Sequence, residues 1–290
     1  MIRAQGADYS QWDDEVSTPQ HVNFQQEISV GGAFTFIKAS QLSVDQDFII
    51  SWHFAKQAGV LRGAYHFLDW RSDWLSQATM LCNLLAGDPG ELPPVVDFEM
   101  HTTVSVPSDA NGRLWNFLQY VEKATGKIPM IYAGYYYWVQ YGTPNIDWLK
   151  YPLWLPYYEP ENVIQVPPPW KTWTFWQYTD RGDGLAWGSE AKMVDLNWYN
   201  GTVDDLRKFA TGSLPIPAPQ PTPSIPAYIT KYPMNVRSAA SQTATIIQPV
   251  IPAGTTIYIK SYVANGYSYF EPTANYPKGG YLYSSYLSKV

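Results

Sequence analysis

Short apolar runs recur along roughly the first two hundred residues, with amphipathic or polar stretches between them. Each run has the length of a buried strand, and the early gaps have the three-to-four-residue hydrophobic spacing of helices. Strands that alternate with helices predict a mainly parallel α/β sheet, and eight of them predict a closed barrel. The runs are residues 6–9, 34–38, 63–67, 94–99, 129–132, 153–155, 173–177 and 193–195.

The helices of this predicted barrel become fewer toward its end. Ser72 and Ser108 are favourable N-cap residues for two early helices, and Gly126 is a favourable stop for the second. The last gaps are short and proline-rich, as at residues 167–169, and leave little room for crossover helices. A closing helix over Thr202 to Phe209 begins with the spacing of a capping box. The predicted fold class is α/β, a TIM-like (β/α) barrel with a reduced helix set.

A proline-rich segment divides the chain. Residues 211–227 have a composition that forbids helix and sheet and favours an extended polyproline spacer. After this segment, alternating residues at 256–260 and frequent Gly, Asn and Pro predict a small β-barrel. The predicted domains are therefore residues 1–210, a linker over 211–227, and a second module over 228–290.

The two modules differ in charge. The 290-residue chain has a net charge of −6, but residues 228–290 hold five basic residues and one acid, which leaves +4 there and −10 in the preceding part. A small basic module beside a large acidic one indicates that the small module meets an anionic polymer. Aromatic residues make up 16% of the chain, and their rings suit a ligand with faces to stack on, such as a sugar.

The cysteine and histidine content argues against thiol and metal chemistry. Cys82 is the single cysteine, so no intrachain disulfide forms, and its apolar helical surroundings indicate a buried hydrophobic role. The four histidines, His21, His53, His66 and His101, lack metal-ligand spacing. We therefore expect no metal and no organic cofactor. A zinc amidase or a cysteine peptidase has little support.

The amino-terminal residues lack the apolar stretch of a signal peptide, and no segment of the sequence is long enough to span a membrane. We therefore expect a protein made in a cytoplasm and released by another route, or one whose signal was removed. Neither a membrane nor a nucleic acid is an expected partner.

Acidic residues stand at the ends of three predicted strands, where barrel enzymes place their chemistry. They are Asp8, the pair Asp97 and Glu99, and Asp195. A spacing of two puts both acids of the pair on one face of a strand, with Phe98 on the other. Because two such carboxylates do not ionise together easily, the pKa of one of them is raised. A protonated acid beside an ionised one can protonate a glycosidic oxygen and stabilise positive charge on the sugar.

Six motifs around these residues occur in the order found in the glycoside hydrolase family 25 muramidases, the Chalaropsis-type lysozymes. The resemblance covers roughly residues 4–210 and implies cleavage of the β-1,4 bond between N-acetylmuramic acid and N-acetylglucosamine in peptidoglycan. It also implies a barrel with few helices. The motifs are Ala7-Asp8-Tyr9-Ser10-Gln11-Trp12, Phe36-Ile37-Lys38-Ala39, Arg62-Gly63-Ala64-Tyr65-His66-Phe67, Val96-Asp97-Phe98-Glu99, Trp176-Gln177-Tyr178 and Val194-Asp195-Leu196-Asn197.

The resemblance assigns roles to the four acids. Glu99 is the expected general acid, and Asp97 is its partner, which orients the 2-acetamido group of the substrate or stabilises the oxocarbenium-like transition state. Asp8 and Asp195 are expected to complete the acidic cleft and to tune the pKa of Glu99.

Four further residues are expected to bind the substrate, and one segment departs from the family pattern. Many members have Thr-Glu-Gly where this chain has Ser40-Gln41-Leu42, a change that can reshape the first loop of the cleft. The expected substrate-binding residues are Tyr65, Tyr132, Lys38 and Gln177.

The second module resembles a bacterial SH3 domain, which implies an SH3-like barrel that binds peptidoglycan or its peptide bridges. Its tyrosines can form either the binding groove or the core. The motifs are Asn235-Val236-Arg237-Ser238, Ile251-Pro252-Ala253-Gly254-Thr255, Asn265-Gly266-Tyr267-Ser268-Tyr269-Phe270 and Gly280-Tyr281-Leu282-Tyr283-Ser284-Ser285-Tyr286-Leu287.

The leading interpretation is a peptidoglycan hydrolase of the phage-endolysin type. One alternative is a wall-binding protein on an inactive barrel, which the complete set of four acids disfavours. Another is a chitinase-like glycosidase. Those enzymes carry a longer Asp-x-x-Asp-x-Asp-x-Glu string, and Pro94-Val95-Val96 occupies the place of the additional acids.

Overall fold

A computed structural model describes residues 2–14, 21–99, 104–212, 227–263, 267–270 and 280–289. The described residues form two compact units, one up to residue 212 and one from residue 227 onward. Residues 213–226 of the predicted linker, and His101, lie outside the described residues. No helix among the described residues has both the length and the apolar character needed to cross a membrane.

The first unit is a closed barrel of eight strands in sequential order, as the sequence predicted. Strands β1 to β7 run parallel to one another, and β8 is antiparallel to both of its neighbours, β7 and β1. Turns instead of a crossover helix join β7 to β8, in agreement with the predicted lack of helices at the end of the barrel, and the antiparallel direction of β8 is a departure from a TIM barrel. The strands are β1 (Gln5–Tyr9), β2 (Gly32–Ser40), β3 (Leu61–Phe67), β4 (Val95–Asp97), β5 (Met130–Tyr132), β6 (Leu153–Pro156), β7 (Phe175–Asp183) and β8 (Met193–Tyr199).

Six helices lie in the first unit, and most of them follow the early strands. Between α5 and β7 the helical segments are two short 3-10 turns, Ile146–Lys150 and Glu161–Val163, in agreement with a reduced helix set. Cys82 is half-buried on α3 and carries a free thiol. The helices are α1 (Phe24–Ser29), α2 (Phe48–Ala58), α3 (Trp74–Leu85), α4 (Ala110–Thr125), α5 (Tyr135–Tyr141) and α6 (Val203–Thr211).

Local sequence patterns predicted the end of α4 correctly but placed the N-caps of α3 and α4 one residue too early. The N-cap of α3 is Asp73, whose carboxylate accepts from two backbone amides, and the N-cap of α4 is Asp109. The predicted caps Ser72 and Ser108 are therefore wrong by one position, since an equally suitable residue follows each of them. Gly126 ends α4 with a φ of 70°, as predicted.

The inside of the barrel is filled by large side chains that alternate along the strands. The rings of Phe36 and Trp154 stack with centroids 4.3 Å apart. Gly63 permits this filling, because a Cβ there would lie 2.4 Å from Cε1 of Phe36. Because side chains fill the interior of the barrel, a site for chemistry is expected at its open end. The interior cluster includes Phe34, Phe36, Val95, Met130, Trp154 and Phe175.

The second unit is a sheet of seven strands whose neighbours pair antiparallel, in the order β11-β10-β14-β13-β12-β9-β15. A separate apolar core, which includes Val236, Phe270 and Leu282, holds it together. The strands are β9 (Ala227–Thr230), β10 (Met234–Arg237), β11 (Ile246–Ile251), β12 (Thr256–Val263), β13 (Tyr267–Phe270), β14 (Gly280–Tyr283) and β15 (Leu287–Lys289).

Candidate active site

Asp8 and Asp195 lie opposite each other on adjacent strands. Asp8 is the penultimate residue of β1, and its cross-strand partner on β8 is Asp195. The prediction that Asp195 ends its strand is wrong, because β8 continues to Tyr199. Since β8 is antiparallel, its first residues lie beside the carboxyl ends of the other strands. Asp195 therefore reaches the same end of the barrel as Asp8.

Asp97 and Glu99 lie at the end of β4. Asp97 is the last residue of the strand, and the backbone amide of Phe98 still donates to the carbonyl of Tyr132 at 2.8 Å. The alternation of a strand therefore continues past Asp97. Phe98 is fully buried in the outer core, whereas the two acids point the other way and act on each other electrostatically.

Two side-chain amides, Gln177 on β7 and Asn197 on β8, donate hydrogen bonds to the acids of β1 and β8. Gln177 Nε2 donates to Asp8 Oδ2 at 2.9 Å and to Asp195 Oδ2 at 3.0 Å. Asn197 Nδ2 donates to Asp8 Oδ2 at 2.7 Å, and its own Oδ1 accepts from Trp154 Nε1 at 2.8 Å. Asp8 thus receives two hydrogen bonds that favour its charged form.

Two tyrosine hydroxyls donate hydrogen bonds to the oxygen of the Gln177 side-chain amide. The hydroxyl of Tyr132 donates to Gln177 Oε1 at 3.0 Å, and that of Tyr158 donates to the same atom at 2.8 Å. The predicted residue Tyr132 therefore belongs to the hydrogen-bond network of the acids.

Burial makes the Asp97–Glu99 pair a strong candidate for acid chemistry. Burial raises the pKa of Glu99 from 4.5 to about 7, and the negative charge of Asp195 acts in the same direction while Lys38 opposes it. Burial and the nearby Glu99 carboxyl also raise the pKa of Asp97 well above its ordinary value. One proton held between these two groups near neutral pH fits a glycosidase acid.

The Asp8–Asp195 pair experiences a similar environment. Burial, and then the charge of Asp195, raise the pKa of Asp8 well above its ordinary value, against the hydrogen bonds from the two amides. Burial and the charge of Asp180 raise the pKa of Asp195 to about 6. Four acids with raised pKa values at one end of a barrel mark a functional site.

Tyr65 and Lys38, two of the predicted substrate-binding residues, interact electrostatically with the acids. They are cross-strand partners on β3 and β2. The pKa of Tyr65 is raised well above its ordinary value by burial and then by the charges of Asp8 and Asp97. Lys38 supplies a positive charge that favours ionisation of Asp97 and Glu99.

Ser40 and Gln41, in the segment that departs from the family pattern, form hydrogen bonds within the first unit. Ser40 Oγ lies 2.8 Å from His66 Nδ1. Gln41 Nε2 donates to Asp69 Oδ2 at 2.8 Å, and Gln41 Oε1 accepts from Lys38 Nζ at 3.4 Å. Gln41 therefore connects the cleft lysine to a buried acid without adding a negative charge.

The sequence prediction missed Asn197, Tyr158 and Asp13. Asn197 follows Asp195 by two residues, so strand alternation was a usable signal for it. Tyr158 follows β6 in a loop, where no periodicity applies. Asp13 lies in the loop after β1, and burial raises its pKa to about 7. Among the described residues, no group of three or more His, Cys, Asp or Glu side chains is arranged to hold a metal ion.

A closed α/β barrel with paired carboxylates of raised pKa at its open end suits the acid chemistry of glycosidic cleavage. The family model for glycosyl hydrolases family 25 matches residues 7–185. The chain belongs to this family, which confirms the predicted lysozyme-type enzyme and its class of peptidoglycan hydrolase.

Individual proteins agree with this family membership. The uncharacterized protein YegX of Escherichia coli (strain K12) is 32% identical over 216 residues, which cover 71% of this chain and 73% of YegX. Lysozyme M1 of Streptomyces globisporus is 29% identical over 221 residues, or 72% of each protein. The structure of a muramidase from Acremonium alcalophilum matches with a TM-score of 0.61 and 26% identity, over 72% of this chain and 100% of that one.

Proposed function

We propose that the first unit hydrolyses the β-1,4 bond between N-acetylmuramic acid and N-acetylglucosamine, with Glu99 as the general acid. The observation that carries this proposal is the pair at the end of β4, in which burial raises the pKa of Glu99 to about 7. At neutral pH a substantial fraction of Glu99 therefore holds a proton, and a buried acid in this state matches the needs of glycosidic cleavage.

Glu99 donates its proton to the glycosidic oxygen as the bond from that oxygen to the anomeric carbon breaks. The departing sugar leaves as an alcohol, and positive charge develops on the remaining ring. Water then adds to the anomeric carbon and returns a proton to the Glu99 carboxylate. The net reaction consumes one water and makes one new reducing end.

Asp97 is the proposed partner of Glu99. Its Oδ1 atom is buried and has no hydrogen-bond partner among the described residues. Such an acceptor has a strong requirement for a donor. The N–H of a 2-acetamido group can supply that donor, and the carboxylate then lies near the positive charge on the ring. Asp8 and Asp195 complete the acidic wall, and Tyr65, Tyr132 and Lys38 line it.

For the second unit we propose an SH3-like domain that holds the enzyme on the wall, joined by the proline-rich linker, whose predicted end residues Thr211 and Ala227 belong to α6 and β9. Three exposed tyrosines, here called the tyrosine cluster, support this proposal. They are Tyr232, Tyr283 and Tyr286, exposed by 57%, 36% and 43%. The centroid of the Tyr286 ring lies 5.2 Å from that of Tyr232 and 5.4 Å from that of Tyr283. Exposed aromatic groups of this kind mark binding surfaces.

A phage-endolysin role, with synthesis in a host cytoplasm and action on the wall, is the biological setting that we propose. It fits a wall hydrolase with a second binding unit.

The test of the catalytic proposal is digestion of purified peptidoglycan, with borohydride reduction and mass spectrometry of the soluble products. Reduced muramic acid ends with the wild type, and a loss of at least about a thousandfold in Glu99→Gln, are the expected results. Reduced glucosamine ends would point to a chitinase-like bond preference. Release of no fragments from several wall types would favour the wall-binding alternative.

A further inference from the structure

Every hydrogen-bonding position of the Gln177 side chain is used inside the protein. A primary amide has two N–H donors and two acceptor positions on its oxygen. The donors go to Asp8 and Asp195, and the acceptor positions receive the hydroxyls of Tyr132 and Tyr158. The residue is only 2% exposed. A sugar hydroxyl would therefore have to displace one of four existing partners to bind this amide.

The network also fixes the direction of the amide. An ionised carboxylate only accepts hydrogen bonds, so the group that faces Asp8 and Asp195 must be the Gln177 nitrogen. The two tyrosine hydroxyls then donate to the Gln177 oxygen. The backbone holds the residue in register, because Gln177 pairs with Asn197 on β8 and its carbonyl accepts from the amide of Tyr157 at 3.0 Å.

The two carboxylates depend on this nitrogen to different degrees. Asp8 also accepts a hydrogen bond from Asn197, whereas Gln177 is the side-chain donor that the described residues provide to Asp195. The neighbouring charges do not compensate, because those that act on the pair are also acidic: Asp13 raises the pKa of Asp8, and Asp180 raises that of Asp195. The pair in turn raises the pKa values of the other two acids, through Asp8 for Asp97 and through Asp195 for Glu99.

We propose that Gln177 is a positioning residue, which acts through Asp8 and Asp195 by holding their carboxylates side by side, and that it does not bind the sugar. This inference rests on the proposed function of the acidic wall. It replaces the expectation that Gln177 is a substrate-binding residue.

Two substitutions at this position separate the roles. Gln177→Met removes all four hydrogen bonds without adding charge. Gln177→Glu keeps the oxygen that both tyrosines need, so it remains informative if Gln177→Met does not fold. We expect kcat to fall about tenfold or more in both variants, with KM within about twofold of the wild type. The acid limb of the kcat/KM profile should move up by about one pH unit in Gln177→Met, because carboxylates without donors hold protons more tightly.

Tyr158→Phe is the matched control, since it removes one hydrogen bond to Gln177 and leaves both donations to the acids in place. Its acid limb should stay within a few tenths of a unit of the wild type. Thermal melts and circular dichroism identify the folded variants. An increase in KM with unchanged kcat and an unmoved acid limb would overturn the proposal and make Gln177 a substrate-binding residue.

A second readout does not depend on activity. In protein with 13C-labelled aspartate, the carboxyl resonances of Asp8 and Asp195 are assigned with Asp8→Asn and Asp195→Asn and followed against pH. We expect the titration of Asp195 to shift upward more than that of Asp8 in Gln177→Met. Unchanged titrations in a folded variant would overturn the positioning role. Failure of the wild type to cut peptidoglycan, with the shift present, would instead contradict the proposed function alone.

Discussion

Glu99 combines two properties that an exposed glutamate lacks, a retained proton near neutral pH and a cation close enough to adjust it. Burial raises its pKa to about 7, and Lys38 limits the increase. The acid form is therefore present below pH 7 and is lost above it. In the proposed mechanism, this residue sets the upper limit of the working pH range of the enzyme.

The first prediction concerns the basic limb of the pH profile. We expect kcat/KM to fall about tenfold per pH unit well above pH 7, because Glu99 loses the proton that it must donate. Lys38→Met should move this limb to higher pH, since the ammonium group favours the ionised carboxylate. Initial rates on soluble glycan fragments from pH 4 to 9 measure both. A limb that stays in place in Lys38→Met would assign the titration to another group.

The same burial has a cost in stability, which gives the second prediction. The folded state holds a proton on Glu99 up to about pH 7, whereas an unfolded chain releases it near 4.5. Stability therefore falls as the pH rises between these values, by about 3 kcal/mol for this group. We expect Glu99→Gln to melt at a higher temperature than the wild type at pH 8 and at a similar temperature at pH 4. Equal destabilisation at both pH values would contradict this explanation.

At the level of elements, features that follow from local spacing were predictable. Gly126 ends α4 because the required left-handed conformation is inexpensive for glycine. The direction of β8 was not predictable in this way, since it depends on how the barrel closes rather than on any local pattern. The position of Asp195 within its strand, and the link from Gln177 to both acids, follow from that closure. Asp8 and the Asp97–Glu99 pair could be placed near strand ends from the sequence, but the place of Asp195 in its strand and the hydrogen bonds that connect the acids could not.

Helix α6 provides a test at this scale. Thr202 and Asp205 form a reciprocal capping box at its start, and Leu206 is buried in the interior cluster of the barrel. We expect Thr202→Ala to lower the free energy of unfolding by about 1 kcal/mol, because the backbone amide of Asp205 loses its acceptor. Thr211→Ala, at the exposed end of the same helix, is the control and should change it by less than about 0.5 kcal/mol. Chemical unfolding curves measure the difference, and equal effects would contradict a capping role.

At the level of the whole molecule, net charge differs between the two units. The acids that perform the proposed reaction lie in the first unit, whereas residues 228–290 carry a net charge of +4. An enzyme that must remain on an insoluble anionic polymer benefits from a second attachment, because binding there raises the effective concentration of the first unit at its substrate. Binding and cutting should therefore be separable by mutation.

The last prediction tests this separation with the tyrosine cluster. We expect the full chain carrying Tyr232→Ser and Tyr286→Ser to bind insoluble walls about tenfold more weakly, since two exposed aromatic anchors are removed. Its kcat on soluble glycan fragments should remain unchanged. Tyr281→Ser is the control, because Tyr281 packs against Tyr269 with centroids 5.2 Å apart and is not part of the cluster. Co-sedimentation with purified walls at low and high salt measures the binding. Weaker binding that is equal in the control would indicate general damage to the unit, and unchanged binding in the double variant would show that the wall is held by another surface.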